Sequence, residues 1–461
     1  MTSDRGFSVR GKRVTVTGAA RSGIAAAELL VSRGATVTLS DRRDRLDEED
    51  RLRATGVELE LGGHNETTFT GADLVVTSPG VPFHQPVLDA ARRAGVPVIG
   101  ELELAFRWLR GKVIAITGTK GKSTTTTLTG RMLEAGGQRV LVGGNIGHAL
   151  SAQVDASTDD TIHVVEASSF QLEATDTFRP WIAVLLNFSP DHLDRHASVE
   201  EYAAAKERIF LRQTDQDWAV LNADDTSSLA MAAGGRARQL LFSMTGGIRD
   251  GVAVDGNAVV RRQGDRVEPL VPLSSIRLLG PHLIADVVAA SAVAWLAGVD
   301  AAAMTRAVEA FSGLEHALEP VAETGGVRFV NDSKATNIEA ARRAIESFGD
   351  GLVVILGGRF KGGDFRDLLA PLEARRAIVV AIGEARPLIV EALAARVNVR
   401  EAADMSAAVR TAFASASPGS TVVMAPACAS FDMFRDYAER GRVFKQEVSR
   451  LKEEWNVTRE Q

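Results

Sequence analysis

Near residue 120 the chain reads "AITGTKGKSTTTT", Ala115 to Thr127, a run whose residue types suit phosphate. Gly118 and Gly121 permit close backbone approach and positive φ, Lys122 brings charge, and Ser123 brings a hydroxyl able to ligate a divalent cation. The spacing is G-x-x-G-K-S, shorter than the general G-x-x-x-x-G-K-[ST] pattern, because Ile116 stands where that pattern has its first glycine. An apolar strand is expected before the loop and a helix after it, so that the free N–H groups of the helix N-terminus meet a nucleotide's phosphates. Thr119, Lys120 and Thr124 complete the expected nucleotide contacts.

Phosphoryl transfer also calls for cation ligands. Glu166 ends the apolar run in "HVVEASSF", where a carboxylate is costly to desolvate unless it is paired or bound to a metal. His192, in "NFSPDHLDRH", follows a second apolar strand, and a neutral imidazole can complete a cation site. Each alone is more readily a solvated strand end. Their expected emergence on the edge that carries the loop points to function.

Three starts of strand and helix alternation must position these groups. The first, "KRVTVTGAARSGIAAAELLVSRGATVTLSDRR", reads as strand, turn, helix and a second strand ending on Asp41. The strand in "DLVVTSPG" then ends at Ser78, Pro79 and Gly80, a turn expected at the same ligand-binding edge. The second start is "GKVIAITGTKGKST", and the third runs through "VRFVNDSKATN", "LVVILGGRF", "AIVVAIGEARP" and "TVVMAPACASFD". The polar stretch from Gly246 to Glu268 reads as an inserted hairpin region. The expected architecture is α/β with three domains in series: a Rossmann-like domain over 1–110, a P-loop ATPase domain over 111–313, and a Rossmann-like domain over 314–461.

Composition narrows the function classes. A 461-residue chain that is 45% hydrophobic and carries a net charge of -6 is an ordinary globular protein without the basic face of a nucleic-acid binder. Its single cysteine, Cys428, excludes an internal disulfide and reads as a small packed residue. The first residues hold no apolar stretch suited to a signal peptide, and no run approaches the ~20 apolar residues of a membrane span, so the cytoplasm and no membrane partner are expected.

The motifs "GTKGKSTTTT", "GGNIG", "EASSFQLE", "NFSPDHLDRH", "YAAAKERIF", "NDSKATN", "LGGRFKGGDF" and "PACASFDMF" occur in an order and spacing that resemble the Mur ligases. Within that family the resemblance is closest to the glutamate-adding branch, and it covers almost the whole chain. It implies ATP as co-substrate, Mg²⁺ at two sites, UDP-N-acetylmuramoyl-L-alanine and glutamate as partners, an acyl-phosphate intermediate, and a monomer. Position by position, it implies that Lys122, Lys206, His192 and Glu166 are catalytic and that Ser123, Glu166, His192 and Lys206 serve the metal, Lys206 as a carbamate. Asp332 would join Gly118, Thr119, Lys120, Gly121, Lys122, Ser123 and Thr124 around ATP. Asp41, Arg42, Ser78, Pro79, Gly80, Asn145, Ser168 and Gln171 would face the uridine substrate. Lys334, Thr336, Lys361, Ser430 and Phe431 would face glutamate, for whose two carboxylates cations and hydroxyls are suitable partners.

Three departures stand against the family pattern. Ala20 occupies the middle glycine of "GAARSG", the central helix begins His282-Leu283-Ile284-Ala285-Asp286 where the family has H-N-x-x-N, and Ala317 replaces an arginine after His316. Ala20 weakens a pyrophosphate contact in the first domain; the changes at Leu283, Asp286 and Ala317 bear on ATP and leave a Mur-like nucleotide-binding protein with impaired turnover as one alternative, and the shared G-T-K-G-K loop leaves a folylpolyglutamate-synthetase-like ligase as another.

Overall fold

The computed structural model describes residues 6–192, 195–277 and 281–460. They form two compact bodies, one of the described residues up to 276 with 282–310 and one of 277 and 281 with 311–460.

The first body holds two sheets. Strands β1 (Arg13–Thr17), β2 (Thr36–Asp41), β3 (Val57–Leu61), β4 (Leu74–Thr77) and β5 (Val98–Gly100) pair in the order β3-β2-β1-β4-β5, all parallel. The order reverses between β1 and β4, which opens the crevice at the carboxyl edge where such sheets hold ligands. The turn after β1 explains one departure from the family pattern. Ala20 has φ −81° and needs no glycine, whereas Gly18 sits at φ +89° and a Cβ on Gly23 would lie 1.8 Å from the Gly18 carbonyl oxygen.

The second sheet has nine strands: β6 (Lys112–Thr117), β7 (Arg139–Gly144), β8 (Thr161–Glu166), β9 (Ile182–Leu185), β10 (Trp218–Asn222), β11 (Arg238–Ser243), β12 (Asp250–Asp255), β13 (Ala258–Gln263) and β14 (Arg266–Pro272). Their order is β14-β13-β12-β11-β10-β9-β6-β8-β7. The loops after β6, β8 and β9 therefore share one edge, since these three are parallel neighbours. The polar region after Gly246 forms antiparallel hairpins, as its turn signals suggest, and β12 extends the sheet by pairing with β11.

A buried carboxylate joins the two sheets' modules. Glu103, on the helix Glu101–Phe106 that follows β5, accepts from the backbone N–H groups of Asp176, Thr177 and Phe178 and from the Thr177 hydroxyl, and it pairs with Arg107 at 2.8 Å. With its oxygens satisfied from both sides, its burial is compensated.

The second body has six strands: β15 (Glu319–Thr324), β16 (Val327–Asn331), β17 (Leu352–Gly357), β18 (Ile378–Ile382), β19 (Asn398–Glu401) and β20 (Thr421–Met424), ordered β15-β16-β20-β17-β18-β19. All six residues of β17 and all four of β20 are buried, because helices cover both faces of a parallel sheet. Parallel neighbours β16, β20 and β17 end at one edge, and so bring "NDSKATN", "PACASFD" and "GGRFKGG" together.

Candidate functional site

The phosphate loop leaves β6 and ends on the helix Lys122–Ala135, with Gly121 as its N-cap at φ +81°. Neighbours leave no room for side chains: a Cβ on Gly118 would lie 3.0 Å from Leu186 Cβ, and one on Gly121 would lie 2.2 Å from Asp286 Oδ1. The segment after β9 clamps the loop's backbone. Thr119 N donates to the Asn187 carbonyl (3.0 Å), Lys120 N to Asn187 Oδ1 (2.9 Å), and Asn187 Nδ2 back to the Lys120 carbonyl (3.1 Å). The Thr119 hydroxyl donates to the Ser189 carbonyl and accepts from Ser189 N. Lys122 Nζ lies 3.0 Å from the carbonyls of both Gly118 and Thr119, folded over the loop. Lys120 pairs with Asp191 at 3.3 Å. Ser123 and the buried Thr124 stand in the first helical turn.

Glu166 ends β8 beside this loop, 2% exposed. Asn145 Nδ2 donates to its Oε1 at 2.7 Å, while Oε2 is buried with no partner. Lys206, on the helix Val199–Glu207, is 1% exposed, and its Nζ donates to the Gly118 carbonyl at 2.8 Å and lies 4.8 Å from the centre of the Tyr202 ring. Burial, with Lys122 adding repulsion, holds its amine well below the usual lysine range, against the pull of Asp191 and Glu166. His192 has a left-handed backbone (φ +56°), is exposed, and sets its ring edge-on to Phe170 and Tyr202. Glu166, Lys206 and the loop are thus one assembly, with His192 on the segment that clamps the loop.

At the carboxyl edge of the first sheet, Asp41 Oδ2 accepts from Ala19 N at 2.6 Å, and Arg43 bonds both Asp41 and the Ala19 carbonyl. Burial works to raise the Asp41 pKa, but the bonds from Arg43 and from the backbone outweigh it and draw the carboxyl down to about 2. Arg42, the predicted neighbour, is exposed; Arg43 makes the contact. The Ser78 hydroxyl closes the crevice by donating to the Gly18 carbonyl (2.7 Å), and Arg195 reaches the carbonyls of Pro79 and Gly80 while stacking on Phe170. Ser168 and Gln171 satisfy each other as a capping box at the start of the helix Ser169–Leu172, with Gln171 buried.

In the second body, the backbone N–H of Ala427 donates to the Ala335 carbonyl (2.9 Å), tying two of the three edge loops together. Arg440 is 1% exposed and reinforces the tie, donating to the Ser333 hydroxyl, the Ser333 carbonyl and the Cys428 carbonyl. Lys334, Lys361 and Phe431 are exposed, Thr336 is half-buried and Ser430 is buried. Asp332 accepts from Leu318 N, and burial pushes its carboxyl up to about 7 despite that bond and the nearby Lys334. Cys428 is fully buried, and burial raises its thiol to about 12, so it is not a nucleophile.

Three family models match in series: Mur ligase MurD-like, N-terminal domain, over 12–100; Mur ligase middle domain, over 116–294; and Mur ligase, glutamate ligase domain, over 318–428. A relative named UDP-N-acetylmuramoylalanine--D-glutamate ligase from Acidobacterium capsulatum is 50% identical, across 95% of this chain and 96% of its own length. The one of that name from Koribacter versatilis is 44% identical, across 97% and 99%. The chain belongs to the Mur ligase family. Among solved structures, the Thermotoga maritima UDP-N-acetylmuramate-alanine ligase aligns with a TM-score of 0.60 at 18% identity over 96% of this chain and 100% of that one, and so shares the Mur ligase fold.

Several residues of this Mur ligase chain that shape the site had no signal strong enough in sequence. Asn187 opens the motif "NFSPDHLDRH", yet it takes the pairing of β9 with β6 to show that it clamps the loop. Arg43 is one position beyond the expected Arg42, and no spacing rule separates two adjacent arginines at a strand end. Arg440 is buried on the helix Tyr437–Glu460, and no local pattern sets it apart from the other charges there. The capping box was legible, since S-x-x-Q before a helix is its signature.

Proposed function

We propose that this Mur ligase is an ATP-dependent, ADP-forming enzyme that joins D-glutamate to the alanine carboxylate of UDP-N-acetylmuramoyl-L-alanine, for peptidoglycan precursors in the cytoplasm. The observation that carries the reading is that two buried groups stand unneutralised around the phosphate loop: the unpartnered Glu166 oxygen, and the Lys206 amine on the Gly118 carbonyl. The relatives' name supports D-glutamate as the amino acid. Residues 1–110 take the uridine substrate, 111–313 take ATP and 314–461 take glutamate, so one chain supplies every binding function and acts as a monomer.

The substrate carboxylate attacks the γ-phosphorus, the bond to the ADP oxygen breaks, and an acyl phosphate forms. The amine of glutamate then adds to the acyl carbon, a proton leaves the nitrogen, and the tetrahedral adduct expels phosphate. The chain's part is positioning and charge. Gly118 to Thr124 offer backbone N–H groups to the polyphosphate, and Lys122 moves from its loop carbonyls to the transferred phosphoryl oxygens. Asp332 contributes to the nucleotide site. Asn145 orients Glu166, while Asp41, Arg42, Ser78, Pro79, Gly80, Ser168 and Gln171 hold the uridine substrate. Lys334, Thr336, Lys361, Ser430 and Phe431 bind glutamate.

The donors suit Mg²⁺, a hard cation that prefers oxygen and keeps several waters. Ser123 and the open Glu166 oxygen would hold one ion, and His192 with a carbamate on Lys206 a second. Among the described residues no three His, Cys, Asp or Glu side chains gather as a metal cluster, so phosphate oxygens and water must fill the remaining positions. Bound there, the cation supplies charge to offset the polyphosphate. The carbamate forms when the uncharged Lys206 amine attacks carbon dioxide and releases a proton to water; burial that disfavours the ammonium favours this step.

Incubation with Mg-ATP, UDP-N-acetylmuramoyl-L-alanine and each glutamate enantiomer tests the reading by phosphate release. Release dependent on D-glutamate is expected. No release with either enantiomer, despite substrate binding, overturns it in favour of a nucleotide-binding protein without turnover.

A further inference from the structure

Asp286 is the helix Pro281–Leu296's contribution to the underside of the phosphate loop. Its Oδ1 lies 2.2 Å from where a Cβ of Gly121 would be, so the carboxyl group presses on the α-carbon of the residue that caps the helix Lys122–Ala135. The side chain is 4% exposed, and its Oδ2 is buried with no partner. The Thr125 hydroxyl is the hydrogen-bonding group that faces the carboxyl, while the printed contacts of the loop's lysines go elsewhere: Lys122 donates to the Gly118 and Thr119 carbonyls and Lys120 to Asp191. One turn earlier, His282 is the other titratable residue of Asp286's own helix.

A polyphosphate docked on the helix N-terminus sets more negative charge beside the same carboxyl group. Two anions in a water-poor site repel strongly, and the cheapest relief is a proton on the buried one. We propose that Asp286 couples nucleotide binding to protonation: the nucleotide is held with Asp286 as a neutral acid, and an ionised Asp286 expels it. Burial, opposed by the nearby Thr125 hydroxyl, already biases the group in this direction, well above the ordinary carboxyl range. The neutral acid also removes the charge from the buried, unpartnered Oδ2. Asp286 is therefore a positioning residue of the loop whose charge sets nucleotide affinity. This rests on the ligase reading insofar as the loop binds ATP.

The test is calorimetric binding of ADP, without metal, to the full chain and to Asp286→Asn from pH 6 to pH 9.5. The asparagine is isosteric and cannot ionise, while every other titrating group, including the ADP phosphates, Lys122 and Lys206, is common to both proteins. The expected result is similar affinity at pH 6 and a growing advantage for the variant as pH rises, approaching tenfold per unit once the wild-type carboxyl ionises. Proton uptake, read from buffers of different ionisation enthalpy, should be smaller in the variant over the same range. Superimposable pH profiles would overturn the coupling alone, since ADP would still be bound. Failure of both proteins to bind ADP at any pH would overturn the coupling as well, while phosphate release from Mg-ATP tests the ligase reading separately. Thermal unfolding of the variant checks that its fold is intact.

Discussion

On the proposed reading, the phosphate loop and the edge loops of the second body would meet their ligands in opposite ways. In the first, the backbone carries the recognition and is fixed beforehand: Asn187 bonds residues 119 and 120 from both sides, Ser189 locks the Thr119 hydroxyl, and Leu186 and Asp286 close on the two glycines. In the second, buried ties through Ala427 and Arg440 fix the loop bases, but Lys334, Lys361 and Phe431 extend into solvent. A polyphosphate is dense in charge and nearly symmetric, so rigid dipoles suit it. An amino acid must be told apart by the disposition of its substituents, and flexible cations that lose rotamer freedom on binding suit that task. Errors of backbone should therefore be ruinous at the loop, and side-chain truncations graded at the second body.

The largest departure expected is Lys206→Ala, which removes the one buried amine beside Gly118 and should lower kcat about 10³-fold, on the scale of losing a preorganised electrostatic group. Short carboxylic acids should restore part of the rate by standing in for the carbamate; full activity in the unsupplemented variant would remove the carbamate from the mechanism. Gly121→Ala comes next. Its methyl would collide with the Asp286 carboxyl at a left-handed backbone position, and ATP affinity measured by calorimetry should fall about 10²-fold, a cost of roughly 3 kcal/mol. Asn187→Ala loosens the clamp without crowding it, and KM for ATP should rise about tenfold, consistent with the loss of one or two hydrogen bonds. A change confined to KM for glutamate would contradict the assignment. Lys334→Ala should be mildest, raising KM for glutamate about three- to tenfold by removing one exposed charge, with KM for ATP unmoved. An equal effect on both substrates would erase the contrast between the two regions.

Much of this contrast was legible in sequence. Glycines, a lysine and a serine between an apolar strand and a helix have few other uses, and the strand alternation defined three sheets with their loops in the right order. Strand adjacency was less accessible. That β6 lies between β8 and β9, and β20 between β16 and β17, is a long-range fact, and it decides which loops become neighbours. The departures at Ala20 and Asp286 show the same limit. At the first the backbone is extended and needs no glycine, and at the second a distant helix brings its carboxyl group against Gly121.

The Glu103 contact bears on how the chain can be divided. Its carboxylate comes from the module of the first sheet, and the N–H groups it fills, at Asp176 to Phe178, belong to the module of the second. A fragment ending after Arg110 would expose that carboxylate together with its apolar surroundings, while the remaining fragment would carry an empty pocket of amides. Separately expressed, the two halves are each other's missing solvent. Mixed, they have a specific reason to reassemble, which makes this junction a place to build a split enzyme whose activity reports the meeting of its parts.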